Sequence, residues 1–177
     1  MDLNGFLPLL QKMKSFLTLK HWQLVALVII PALLDSIFLY SHIISGIIIL
    51  LWISSIGYYG QERIILLGLK PMNFKLFTVN LISLPFFILL SGIIVSDNPA
   101  NDTTIDILNM FFGLYCGFAI FQVLFFASKM IVTLEYEKEV GINDYLKTVF
   151  QIVVFILGIW NLQPRINQIF KPIKSSL

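Results

Sequence analysis

All twelve Lys and Arg residues of this 177-residue chain can be drawn on one side of a membrane, and no other property restricts its fold as much. Four long apolar stretches, at residues 22–40, 43–59, 76–95 and 107–128, hold no Lys or Arg. Lys12, Lys14 and Lys20 precede the first stretch, Arg63, Lys70 and Lys75 follow the second, and Lys129, Lys138 and Lys147 follow the fourth. Arg165, Lys171 and Lys174 lie in the tail. Because Lys and Arg collect on the cytoplasmic side of membrane proteins, the N-terminus and the 60–75 loop are expected in the cytoplasm.

Composition agrees with that reading. The chain is 58% hydrophobic and 12% charged, whereas soluble domains are roughly half apolar and about a quarter charged. The expectation is an all-α integral membrane protein, one membrane domain over 1–177, with four transmembrane helices and the lipid bilayer as its main partner. A net charge of +2 gives no case for nucleic acid, and the bases flank the spans where anionic headgroups would meet them. Cys116 is the only cysteine, so neither an internal disulfide nor a cysteine-rich metal site can form. The basic N-terminus followed by an apolar run resembles a signal peptide, but the run is long, lacks a small-residue cleavage site and is followed at once by another span. A retained first helix is expected.

Residues 6–20 place Phe6, Leu9, Leu10, Met13, Phe16 and Leu17 at three- and four-residue steps, which predicts an amphipathic helix on the cytoplasmic surface, with Trp22 at the interface. As a single helix, residues 22–59 would reach about 57 Å, nearly twice the hydrocarbon thickness, so they must fold back. Tyr40, Ser41 and His42 mark the outer turn, and Trp52, Tyr58 and Tyr59 fit an aromatic belt at the inner end of the second span. The 60–75 loop, with Ile64 to Leu67 apolar, is expected to hug the membrane, and Pro85 to kink the third span. The polar segment 96–104 reads as the outer turn between spans three and four. The apolar segment 146–162 is short: from Val149 to Leu162 a helix would reach about 21 Å, against a core of about 30 Å. Crossing would also export Arg165, Lys171 and Lys174, so a re-entrant or shallow segment is expected.

Chemistry finds little foothold. His21 and His42 stand at opposite ends of the first span, about 30 Å apart by helical rise, so they cannot share a metal ion. No nucleophile–base pair, carboxylate pair within spans, zinc motif or phosphate loop is present, and no catalytic, cofactor or metal site is expected. Asp35 is the one carboxylate well inside a span, and such groups serve as proton or cation sites unless a neighbour or the interface satisfies them. Gln122, Asn80 and Asn109, with Ser83, Ser91 and Ser128, either line a path or bond helix to helix, the second being the commoner use. Gly113 and Gly117 form a small-xxx-small notch for another helix, within the chain or between copies, with internal packing the expected outcome. Glu135, Glu137, Lys138 and Glu139 form the densest charge cluster, read either as a solvated linker or as a docking surface for a membrane or cytoplasmic protein.

Both ends of the chain carry a resemblance. Ala127, Ser128, Lys129, Glu135, Lys138, Glu139, Val140, Asp144 and Tyr145, then Gly158, Ile159, Trp160, Gln163, Pro164, Arg165, Ile166 and Asn167, together with Phe16 to Gln23, are similar to a pattern in small bacterial multi-span inner-membrane proteins of unassigned function. The resemblance implies a bacterial inner membrane and carries no activity. The resulting expectation is a non-enzymatic accessory, scaffold or sensor protein; the alternative is a small channel or transporter using Asp35 and Gln122.

Overall fold

The computed structural model describes residues 15–34, 41–97 and 103–171. Over these the chain is all-helical. A helical turn at 15–18, here α1, is followed by α2 (His21–Leu33), α3 (Ser41–Leu66), α4 (Phe74–Asp97), α5 (Thr103–Tyr136), α6 (Ile142–Val153) and α7 (Phe155–Ile169). Two helical stretches, Ile43–Leu66 and Ile107–Tyr136, are long and apolar enough to cross a membrane; His21–Leu33 and Phe74–Leu90 are apolar but shorter. Asp35, the turn residue Tyr40, most of the expected 6–20 surface helix and the polar residues 98–102 lie outside the described residues.

Two expected loops are helical extensions. The sequence predicts a span over 43–59, yet α3 runs on through Gly60 to Leu66 as 26 residues, about 39 Å. It stops at Gly68, whose φ of +70° is open to glycine at no steric cost. Leu69 N–H donates to the Ile64 carbonyl and Gly68 N–H to that of Ile65, both at 3.0 Å, a Schellman closure that satisfies the last carbonyls of the helix. Likewise α5 continues past Lys129 to Tyr136, 34 residues in all, or about 51 Å. The extensions form because they pack on each other. Ile64, Met130 and Ile131 are fully buried, and a Cβ on Gly60 would fall on the Met130 side chain.

Both faces of α4 and α5 are apolar. Their contact side is aromatic, with the Phe77 and Phe126 rings stacked at 4.4 Å and Phe87 against Tyr115 at 4.8 Å. Their outward side is apolar as well: Val79, Ile82, Phe86, Leu89, Phe111, Leu114, Phe118 and Phe121 are all exposed. Only 22% of the apolar window of α5 is buried, the reverse of a soluble core helix.

The 146–162 segment is not one rod. Gly141 opens α6, its N–H donating to the Asp144 carboxylate at 2.8 Å, and the acid in the first turn complements the helix dipole. The helix ends at Val153, Val154 takes φ −89° and ψ 59°, and α7 starts afresh. At that bend the chain doubles so closely that a Cβ on Gly158 would overlap the Gln151 carbonyl. Tyr145, Thr148, Val149 and Ile152 face inward, while Ile142, Leu146, Phe150, Val153 and Leu157 form an exposed apolar stripe at three- and four-residue steps.

Candidate functional site

Polar chemistry in the interior collects around α7. A spacing of four puts Gln163 and Asn167 on one helix face, and Arg165, between them in sequence, on another. Gln163 is fully buried. Its carbonyl oxygen accepts from Trp52 Nε1–H at 3.0 Å, and its NH2 group reaches the Leu19 carbonyl at 3.0 Å, Asn167 Oδ1 at 3.1 Å, and the Phe16 and Leu17 carbonyls at 3.3 Å. Asn167 Nδ2 also donates to the Leu19 carbonyl, at 3.1 Å. The carbonyls at a helix C-terminus have no partner within their own helix, so these two amides cap the end of α1 and tie it to α3. Trp52 is fully buried, edge-on to Phe155 at 5.6 Å. It does not stand in an exposed belt: the Gln163 acceptor lets its indole N–H be buried.

Arg165 works on the other face. Its Nε and Nη2 grip the Glu135 carboxylate at 2.6 and 2.5 Å, a two-point fork that matches guanidinium to carboxylate, and Nη1 donates to Gln151 Oε1 at 3.0 Å. The pair joins the last turn of α5 to α6 and α7. It borders a hollow of about 770 Å³ that also has Asp144, Lys147 and Asn161 in its wall. The expected acidic cluster is therefore divided: Glu135 is spent on Arg165, Glu137 adopts φ +50° beyond α5, Lys138 lies 5.6 Å over the Tyr136 ring, and Glu139 is exposed.

The third group joins α4 to α5. Asn80 Nδ2 donates to Gln122 Oε1 at 3.1 Å, Tyr115 Oη–H to Asn80 Oδ1 at 3.1 Å, and the Ser83 and Tyr115 hydroxyls share a 2.5 Å bond. Gln122 and Asn80 thus meet each other, as the helix-bonding reading expects; the company of Gln122 and Asp35 falls outside the described residues. Buried atoms Asn109 Oδ1, Ser128 Oγ, Thr133 Oγ1 and Gln61 Oε1 have no hydrogen-bond partner. A Cβ on Gly113 or Gly117 would meet nothing within 4 Å, so no described helix fills the expected notch. Close helix approach occurs instead at Gly57, Gly60 and Gly158.

Beside the Asn80 group lies a cleft of about 400 Å³, whose wall holds Phe125, Phe126 and Leu76 together with Lys70, Asn73, Gln122, Lys129, Thr133, Glu139 and Tyr145. Burial pushes the Tyr145 phenol above its ordinary range, so it keeps its proton. Among the described residues no three His, Cys, Asp or Glu gather in a way that could hold a metal ion.

Sequence reasoning singled out the Gly158 to Asn167 string only as a family mark and missed its use as a clamp. The available signal was a pair of uncharged amides four apart on an apolar helix, where each needs a partner. No protein-family model, curated protein or solved structure matches the chain.

Proposed function

We propose that the chain is a four-span membrane protein with a cytoplasmic N-terminus, whose α6–α7 element lies shallow or re-enters on the cytoplasmic side. In this reading α2, α3, α4 and α5 cross, the outward apolar faces of α4 and α5 meet lipid, and the stripe from Ile142 to Leu157 rests in the interface. The bend at Val154 supports it, since α6 alone, at 12 residues, reaches only about 18 Å. The bacterial inner membrane follows from the resemblance at the two ends of the chain. Reporter fusions after Lys20 and Lys70 are expected to read cytoplasmic and one at Asn98 external; an external signal at Lys70 would overturn the map.

Its role is that of a non-enzymatic accessory, scaffold or sensor protein. The observation that carries this is that Asn80, Gln122, Tyr115 and Ser83, the polar side chains between α4 and α5, bond one another into a closed group. A conducting path needs polar groups free to replace an ion's hydration shell. Purified protein in proteoliposomes is expected to pass no cation current. Flux abolished by Asp35→Asn alone would replace this reading with a channel.

A further inference from the structure

We propose that the cleft between α4, α5 and α6 binds the phosphate of an anionic membrane lipid, a site that rests on the membrane reading above. Lys70 and Lys129 stand on two different elements of its wall, one after α3 and one on α5. Glu139 is also in the wall, so two bases face one acid and the cleft keeps a net positive charge. Neither lysine forms an ion pair with any described carboxylate, since the short ion pair of this region is Arg165 with Glu135. The neighbouring hollow differs in this respect: Lys147 and Arg165 are there balanced by Asp144 and Glu135, and it offers an anion no net attraction.

Hydrogen-bond donors complete the cleft. Asn73 stands in the wall with its side-chain amide. Gln122 gives its carbonyl to Asn80, which leaves its NH2 as the donor end of that side chain. At about 400 Å³ the space falls in the range of small-molecule sites, roughly 300–1,000 Å³. It also opens where a lipid would lie, because Leu76 belongs both to its wall and to the exposed apolar face that continues through Val79 on α4. Basic pockets between membrane helices on the cytoplasmic side capture headgroup phosphates by this combination of charge and adjoining apolar surface.

Native mass spectrometry of the full chain in mild detergent, titrated with phosphatidylglycerol or phosphatidylcholine, tests the site. Phosphatidylglycerol is expected to be retained preferentially, about fivefold less for each of Lys70→Gln and Lys129→Gln, and unchanged by Lys75→Gln, whose side chain is outside the wall. Lys70→Arg and Lys129→Arg, which keep the charge, are expected to retain the lipid, and an unchanged unfolding temperature of the glutamine variants is expected to show that their loss does not come from misfolding. Equal retention of the two lipids, or an equal loss with Lys75→Gln, would sink the proposal. Displacement by inorganic phosphate with no lipid preference would also overturn it, as a site for a free anion. Alkaline carbonate extraction separates the two readings: release from the pellet defeats the membrane assignment, whereas a protein kept in the pellet with lysine-independent lipid retention defeats the cleft alone.

Discussion

The α4–α5 pair and the α6–α7 element are both joined to their surroundings by side-chain amides, but the amides do different work. Between α4 and α5, Asn80 and Gln122 link helices that already share a stacked aromatic seam. Around α7, Gln163 binds atoms more than a hundred positions away in the chain, at Trp52 and at the end of α1. The first set adds to an interface that packing would hold; the second satisfies backbone carbonyls and an indole N–H that have nowhere else to go. The same residue type therefore differs in worth according to what it would leave unpaired.

Breaking the bend of α6–α7 should give the largest effect. In Gly158→Ala the methyl group would fall on the Gln151 backbone carbonyl, and backbone cannot rotate aside as a side chain can. A destabilisation of about 3 kcal/mol or more is expected, read as a lower unfolding temperature in detergent. Gly113→Ala is the matched control and should be near neutral, since its Cβ meets open space. Equal effects would mean that the bend does not hold the element.

Gln163→Leu comes next, at about 2–3 kcal/mol, because it strands the Trp52 N–H and the Phe16 and Leu17 carbonyls without adding bulk. Trp52→Phe in the same background should then cost much less than it does alone, as a double-mutant cycle would register. Additive losses would show that the two side chains do not depend on each other.

Much of this was legible in the sequence. Apolar run lengths and the placement of bases point to helices, but the break of 146–162 at Val154 carries no local signal, and the segment reads as one short helix. The helix ends were harder to read. Residues 60–66 and 129–136 carry charge, which resembles loop, yet Ile64 on the first and Met130 and Leu134, four apart on the second, bury one side of each extension. The Gly113 and Gly117 spacing suggests a packing notch, but spacing does not say whether a partner helix arrives, and the tight approaches fall at Gly57, Gly60 and Gly158 instead. Trp52 read as interfacial for its residue type, because its acceptor lies on a distant helix that local pattern cannot reveal.

Glu135→Gln tests the outer face of α7 and should cost about 1 kcal/mol. The Glu135 and Arg165 side chains are 25% and 27% exposed, so water and salt offset part of the attraction, though the two-point geometry keeps more of it than a single contact would. Arg165 retains Gln151 as an acceptor. The loss should shrink in high salt, whereas the Gln163→Leu loss should not, since no charge is involved there. A salt-independent Glu135→Gln effect would assign its cost to packing.

Asn80→Leu should be the smallest of the series, about 0.6 kcal/mol, although Asn80 is 2% exposed and makes two side-chain bonds across the interface. Three features lower the cost. Tyr115 and Ser83 still bond each other at 2.5 Å, Gln122 sits beside an open cleft in which its carbonyl can find water, and, on the membrane reading proposed above, helices separated within a bilayer find other partners for their polar groups. Leucine also enters a seam already lined by Phe77 and Phe126, so packing recovers part of what the amide gave. A loss as large as that of Gln163→Leu would erase the distinction between the two regions: it would mean that the Asn80 group holds α4 to α5 in the way that Gln163 holds α1, with no other contact able to replace it.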